Sequence, residues 1–174
     1  KLFIRDSNYV KLLISICYDV KNYKRLKRAL THSSFDYNEK NYEKLEFLGD
    51  RVLGLVISIF LFENFKKNSE GELAKKHSFL VCKTALRNIA DVINLENYIR
   101  VSKDMKKKSI ESIKANSLEA LIAAIFLDSN FETVKKVIDN LWKEQIESLD
   151  LSNYDPKSSL QEWCLTKDNK LPLY

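Results

Sequence analysis

Two stretches of the chain are apolar around nearly the whole circumference of a helix, and both begin with polar residues. The first covers residues 41–65 and the second covers residues 109–128. A helix without a polar face is typical of a buried position, so both stretches are predicted to be buried helices. Two buried helices in a domain of this size have to pack against each other. The pattern therefore predicts a helical bundle organised around this pair.

Most of the remaining chain has the period of amphipathic helices. We predict such helices over residues 8–19, 22–31, 70–80, 83–93 and 131–147, with a short helix over 95–101. Ser69 and Glu72 have the spacing of a capping box at the start of one of them. The chain has three glycines and two prolines, and both prolines lie at or after position 156. Residues 1–155 thus have few of the turn residues that hairpins need, and the predicted fold class is all-α.

Acidic residues mark the start of the first buried helix. Glu43 and Glu46 are three residues apart, and Glu46 and Asp50 are four apart, so all share one helix face. A single carboxylate there is explained by the helix dipole, but three on one face indicate a cation, and oxygen ligands suit Mg²⁺ or Mn²⁺. The second buried helix carries Asn116 and Glu119 on one face near its start. Packing of the two helices would bring these two residues into one cluster with Glu46 and Asp50.

These motifs resemble those of the ribonuclease III family. The resemblance rests first on residues 43–53, EKLEFLGDRVL, and on residues 112–121, SIKANSLEAL. Further agreement occurs, in the family's order, at residues 30–34, 69–73 and 155–163. Because it covers nearly the whole chain, the resemblance implies the all-α endonuclease domain of this family.

The resemblance also implies a domain organisation and an activity. Residues 1–149 would form the catalytic domain, residues 150–154 a linker, and residues 155–174 the start of a double-stranded-RNA-binding domain. The family's activity is hydrolysis of double-stranded RNA by a metal-activated water, with Mg²⁺ as cofactor and Mn²⁺ as its substitute. The products would carry 5′-phosphate and 3′-hydroxyl ends with a short 3′ overhang, in the processing of rRNA and mRNA.

Roles for individual residues follow from the same resemblance. The metal ligands would be Glu46, Asp50, Asn116 and Glu119. Asp50 and Glu119 would be the catalytic residues, and Glu43 and Glu70 would be accessory acids near a second metal or the scissile phosphate. Phe47 would insert into the partner subunit of a homodimer, although without the resemblance a core position is its ordinary interpretation.

Asn116 departs from the family pattern, in which Asp is usual. An Asn carbonyl still ligates Mg²⁺ but brings no charge, so metal binding should be weaker. Asn116 is compatible with an active natural variant, an engineered inactivating substitution, or an inactive paralogue that binds double-stranded RNA. Because Glu46, Asp50 and Glu119 are all present, we favour an active or weakly active site.

Composition adds few constraints. The net charge of +5 and the pI near 9.0 are compatible with a polyanionic partner. The lysines of the polar run 102–108 fit a solvated loop and a phosphate contact equally well.

The chain has an odd number of cysteines, Cys17, Cys82 and Cys164, and they form no CxxC pair. This favours a reducing, cytoplasmic location. We predict Cys17 and Cys82 to be core thiols. The longest apolar stretch, residues 52–62, is too short to span a bilayer. A membrane partner is therefore not expected. No small-molecule cofactor is expected either.

Overall fold

The structure, a computed structural model, describes residues 9–35, 42–102, 104 and 107–149. The predicted linker and the predicted start of an RNA-binding domain, residues 150–174, lie outside the described residues. So do three positions of the polar run 102–108, at 103, 105 and 106. Neither alternative for the lysines of that run is therefore tested.

Eight α-helices and one 3₁₀ helix make up the described fold. They are α1 Val10–Ser15, α2 Tyr23–Ala29, α3 Tyr42–Asn64, α4 Glu70–Leu80, α5 Lys83–Val92, the 3₁₀ helix Leu95–Asn97, α6 Lys107–Asp128, α7 Phe131–Leu141 and α8 Lys143–Glu147. Within these ranges the only strand-like pairing is an isolated parallel bridge between Thr31 and Arg100. The prediction of an all-α fold is confirmed.

Helices α3 and α6 form the centre of the bundle. They pack against each other more extensively than any other pair, and α6 also contacts α2, α5 and α7. Both helices contribute side chains to one hydrophobic core that is almost entirely excluded from solvent: Val52, Leu53, Val56, Ile57, Leu118, Leu121, Ile122 and Ile125. The predicted pair of buried helices is thus confirmed. None of the helices described is both long and apolar enough to cross a membrane.

A buried lysine joins α6 to its neighbours on one side. The Lys114 side chain is only 6% exposed, and its Nζ lies 2.7 Å from Asp91 of α5 and 2.9 Å from Glu111 of α6. Glu96 of the 3₁₀ helix lies 3.4 Å away. Three carboxylates therefore surround one ammonium group, which keeps this buried cation neutralised.

Several helix ends differ from the predicted ones. Residues 131–147 form two helices, because Trp142 ends α7 and its buried indole donates a hydrogen bond to the Leu80 carbonyl at 2.8 Å. The short helix predicted over 95–101 extends only to Asn97. Beyond it the backbone extends, and the Arg100 N–H donates to the Leu30 carbonyl at 2.7 Å. Both differences arise from contacts between residues that are distant in sequence.

The prediction of core thiols is wrong for both described cysteines. Cys17 is exposed and has a φ of 52°, a left-handed conformation that follows α1 and ends it before the predicted residue 19. Cys82 is also exposed and caps α5, its sulfur accepting a hydrogen bond from the Ala85 N–H at 3.5 Å. Apolar sequence neighbours do not bury a residue that occupies a helix boundary.

The start of α4 agrees with its sequence motif. The Ser69 hydroxyl accepts a hydrogen bond from the Glu72 N–H at 3.4 Å, and the Glu72 carboxylate accepts one from the Ser69 N–H at 2.7 Å. This reciprocal pair satisfies two backbone donors that the helix itself leaves unpaired. The predicted capping box is confirmed.

Candidate active site

The two central helices touch backbone to backbone at Gly49. A Cβ added to Gly49 would overlap the Glu119 carbonyl group and would lie 3.0 Å from the Glu119 Cα. Only a residue without a side chain allows this approach. Gly49 lies between Glu46 and Asp50 on α3, and its contact on α6 is Glu119 itself. The close approach therefore brings the predicted ligand residues of both helices to one place.

Glu46 and Asn116 lie near each other across this contact. Both side chains are half-buried. Burial raises the pKa of the Glu46 carboxyl, whereas a hydrogen bond from the Asn116 side chain and the charge of Lys83 lower it. The Asn116 amide can donate to a carboxylate, which an ionised Asp cannot do. Asn116 thus favours the ionised form of Glu46, and its carbonyl oxygen is a potential ligand.

Glu119 is the most perturbed acid of the cluster. Burial, followed by repulsion from Asp50 and Glu46, raises the pKa of Glu119 to about 7, and the charge of Lys83 opposes this rise. The shift indicates three carboxylates that are close together and incompletely neutralised. A cation among them would relieve the repulsion.

The donor set fits a hard divalent cation. Three carboxylates and one amide carbonyl are the oxygen ligands that Mg²⁺ and Mn²⁺ prefer. Among the residues that the structure describes, no three His, Cys, Asp or Glu side chains converge tightly enough to hold a metal. Asp50 pairs with Arg51 at 3.1 Å, and both side chains are well exposed. Such surface pairs contribute little free energy, so Asp50 can turn toward the cluster at small cost.

Buried polar side chains lie next to the cluster on the inner side of α3 and α6. Tyr42 is 2% exposed, and its hydroxyl lies 3.0 Å from the Ser117 hydroxyl. Burial raises the pKa of Tyr42, and the nearby Glu46, Glu119 and Glu43 raise it further, so the phenol stays neutral. The His32 ring packs edge-on against Tyr42 with centroids 5.1 Å apart. This packing supports α3 at its first turn.

The two predicted accessory acids lie in different places. Glu43 is exposed on the first turn of α3 and raises the pKa of His32, which burial lowers. Glu70 is exposed on the first turn of α4 and lines a separate groove with Phe62 and His77. The structure therefore brings Glu43 near the cluster and leaves Glu70 in a different groove of the same protomer.

Phe47 is not a core residue within one protomer. Its side chain is 63% exposed, and the Arg51 guanidinium lies 5.4 Å from the ring centroid. Leu55 and Phe62 of α3 are also exposed, by 53% and 76%. Their spacing from Phe47 places all three on one side of α3. The core interpretation of Phe47 is therefore wrong, and α3 presents an exposed apolar stripe.

Lys83 is a residue of the site that sequence reasoning missed. It is the exposed first residue of α5, and its charge acts on both Glu46 and Glu119. No local motif surrounds it. Its position depends on the packing of α5 against α6, which the local sequence pattern does not specify.

Sequence relatives cover the helices that carry this cluster. The chain matches the family model described as Ribonuclease-III-like over residues 22–145. The Ribonuclease 3 of Rickettsia conorii is 44% identical over 176 residues, which cover 96% of this chain and 77% of that protein. The Ribonuclease 3 of Rickettsia bellii is 43% identical over 166 residues, which cover 90% and 73%.

Solved structures have the same helical arrangement. The nuclease domain of Ribonuclease III from Campylobacter jejuni superposes with a TM-score of 0.76 at 38% identity, covering 80% of this chain and 99% of that domain. That structure is described as having flexibility in a region involved in dimer formation. Dicer from Pichia stipitis superposes with a TM-score of 0.63 at 23% identity, covering 89% and 73%, which supports the fold alone.

Proposed function

The chain belongs to the ribonuclease III family, and we propose that it is an endonuclease that hydrolyses phosphodiester bonds of double-stranded RNA. The observation that carries the proposal is the cluster at the contact of α3 and α6. There, burial and repulsion from Asp50 and Glu46 raise the pKa of Glu119 to about 7. Acids held together in this way, on two buried helices that pack against each other, suit a reaction that needs a cation beside a phosphate.

We propose that Glu46, Asp50, Asn116 and Glu119 hold Mg²⁺, with Mn²⁺ as a substitute. When bound, such an ion lowers the pKa of water and neutralises charge on the phosphate. Asp50, exposed at the rim of the cluster, would accept a hydrogen bond from the attacking water and orient it. Asn116 would keep Glu46 turned toward Glu119 through its side-chain hydrogen bond.

The finer features of the reaction are also proposals. The family resemblance suggests 5′-phosphate and 3′-hydroxyl products with a short 3′ overhang, in the processing of rRNA and mRNA. Glu70 lines a separate groove, so its proposed role is that of an accessory acid near the phosphate. Residues 155–174 would begin a double-stranded-RNA-binding domain. A cytoplasmic location is supported by the exposed free thiols of Cys17 and Cys82.

We further propose a homodimer that uses the exposed stripe of α3. Phe47, Leu55 and Phe62 together offer an apolar surface that a second copy can bury. Phe47→Asp should shift the protein from dimer to monomer in analytical ultracentrifugation, whereas the exposed Val92→Asp on α5 should not. A Phe47→Asp protein that sediments like the parent would exclude this face.

Asn116 supports a second candidate, a catalytically impaired member that binds double-stranded RNA. It provides no charge where the family usually has Asp, and a weaker metal site would follow. The two candidates differ in metal-dependent cleavage, and both predict RNA binding.

Cleavage of a long, perfectly paired RNA with Mg²⁺ or Mn²⁺ tests both candidates. Glu119→Ala should lower the rate by roughly a hundredfold or more, as expected for loss of a transition-state contact. Glu132→Ala, an exposed acid on α7, is the matched control and should keep the parent rate. Full activity of Glu119→Ala would contradict the proposed site. An inactive parent that regains cleavage on Asn116→Asp would establish the second candidate.

A further inference from the structure

Two contacts join α3 to α6, and Glu46 lies between them along α3. One is the backbone contact of Gly49 with the Glu119 carbonyl. The other is formed by the Tyr42 hydroxyl, which lies 3.0 Å from the Ser117 hydroxyl of α6. Tyr42 precedes Glu46 by four residues and Gly49 follows it by three, so each contact is about one helical turn away. Glu46 is therefore held from both sides.

The same two contacts involve the ligand-bearing part of α6. Ser117 directly follows Asn116 in the chain, and Glu119 is itself the residue that Gly49 approaches. A single contact between two helices leaves them free to pivot about it, whereas a second contact fixes the angle at which they cross. The hydrogen bond of Tyr42 supplies that second contact beside the predicted ligands.

The hydrogen bond of Tyr42 is enclosed by the protein. Tyr42 is 2% exposed and Ser117 is 0% exposed. The tyrosine belongs to a small core with Leu45 of α3 and with Ala120 and Ala123 of α6. A buried hydroxyl that loses its partner is left unsatisfied, which costs free energy. The bond therefore favours one arrangement of the two helices over its alternatives.

A third segment of the chain holds the Tyr42 ring in place. The His32 ring packs against it edge-on, with an angle of 70° between the two planes. His32 is itself fixed, because its Nδ1 accepts a hydrogen bond from the Ser34 N–H at 3.1 Å and its backbone N–H donates to the Arg100 carbonyl at 2.9 Å. Residues 30–34, which have no part in the proposed chemistry, thus support the tyrosine.

We propose that Tyr42 is a positioning residue whose hydrogen bond to Ser117 sets how far the metal ligands on α3 lie from those on α6. This inference rests on the proposed function. The ligand of α3 between the two contacts is Glu46, and those of α6 are Asn116 and Glu119. Mg²⁺ demands near-ideal octahedral geometry at about 2.0–2.1 Å, so a small change in helix separation weakens its binding.

Titration with Mn²⁺ in the absence of RNA tests this role. Tyr42→Phe keeps the ring and its packing but removes the hydroxyl, and it should weaken Mn²⁺ binding roughly three- to tenfold, the range for loss of one neutral hydrogen bond. Ser117→Ala removes the other hydroxyl and should cause a loss of the same size. The double variant should bind Mn²⁺ no more weakly than either single variant, because all three lack the same bond.

Tyr18→Phe is the matched control. The Tyr18 hydroxyl donates a hydrogen bond to the Asp128 carboxylate at 2.8 Å, so this variant also loses a tyrosine hydrogen bond to α6. Asp128 ends that helix, roughly 13 Å beyond Glu119 along its axis. Tyr18→Phe should therefore lower the Tm and leave the Mn²⁺ affinity unchanged. Parent-like Mn²⁺ affinity in Tyr42→Phe, or an equal loss in Tyr18→Phe, would overturn the inference.

Cleavage of an RNA duplex provides a second readout. At limiting Mn²⁺, Tyr42→Phe should cleave roughly three- to tenfold more slowly than the parent, in proportion to its weaker metal binding. Saturating Mn²⁺ should restore the parent kcat, because every ligand is still present, and the KM for RNA should not change. A deficit that saturating Mn²⁺ leaves undiminished would overturn the positioning role.

The parent protein distinguishes failure of this inference from failure of the proposed function. A parent that binds Mn²⁺ without cleaving RNA would contradict the proposed activity, and the Mn²⁺ titrations would still decide the role of Tyr42. A parent that binds no Mn²⁺ would overturn both.

Discussion

Gly49→Ala tests the contact on which the active-site geometry depends. At most helical positions this change stabilises a protein by up to about 1 kcal/mol, because alanine restricts the unfolded chain and has a higher helix propensity than glycine. At Gly49 the new methyl group would overlap the carbonyl of Glu119 on α6. We therefore expect Gly49→Ala to destabilise the protein.

The size of the effect follows from the atoms that collide. Carbon atoms attract best about 3.5–4.0 Å apart, so the two helices have to separate by on the order of an ångström. The obstacle is backbone of a central helix, which has no alternative rotamer. Overpacking of this kind costs typically about 1–3 kcal/mol, and we expect about 2 kcal/mol net. For a chain of this length that corresponds to a fall in Tm of roughly 4–8 °C.

The other two glycines provide matched controls. A Cβ at Gly54 of the same helix would meet only the His77 ring, at 3.6 Å, and one at Gly71 would have nothing within 4 Å. Both alanine variants should unfold at or above the parent Tm. Calorimetric unfolding and Mn²⁺ titration of the three variants form the assay. Gly49→Ala should also weaken Mn²⁺ binding, because Glu46 moves away from Glu119.

A Gly49→Ala protein as stable as Gly54→Ala would refute the reasoning. It would mean that α3 and α6 do not touch through their backbones, and the juxtaposition of Glu46 and Glu119 would then lose its basis. Lower stability with unchanged Mn²⁺ affinity would support the contact between the two helices. It would also show that Mn²⁺ binding does not depend on that contact.

Three further predictions concern the surroundings of the site. The pKa of Glu119 is raised from 4.5 to about 7 in the folded protein, so its stabilising contribution is complete below pH 4.5 and is lost as the pH rises through 7. Glu119→Gln should therefore gain about 1–2 kcal/mol over the parent at pH 8, after allowance for solvent screening, and nothing at pH 4.5. Denaturant titrations in EDTA measure this difference, and a gain independent of pH would contradict it. Tyr42→Phe should cost about 1 kcal/mol by leaving the buried Ser117 hydroxyl without its partner, and a double-mutant cycle with Ser117→Ala should return a coupling of similar size. Lys114→Met should cost about 1–3 kcal/mol, because three carboxylates lose their common cation, whereas Lys135→Met breaks one α7 ion pair and should cost under about 0.5 kcal/mol. Equal unfolding free energies for the two lysine variants would show that the Lys114 cluster is no stronger than a surface pair.

Local sequence determined the helices and the spacing of the acidic residues within each helix. Residues that are apolar all round a helix leave α3 and α6 no stable position except the interior, so their pairing was predictable without coordinates. The spacing of Glu46 and Asp50 on α3, and of Asn116 and Glu119 on α6, follows from helix geometry alone. The capping box of α4 is equally local, because its two hydrogen bonds join residues three apart.

Only the tertiary structure decided which groups from separate elements meet. The pKa of Glu119 depends on its burial and on charges from α3 and α5, and no helix pattern specifies those distances. The charge of Lys83 acts on Glu46 and Glu119 because α5 packs on α6. Glu70, on α4, lines another groove with Phe62 and His77. Trp142 divides a continuous amphipathic pattern by its hydrogen bond to a distant carbonyl. Periodicity reports the face of each helix, whereas the site depends on how those faces are brought together in three dimensions.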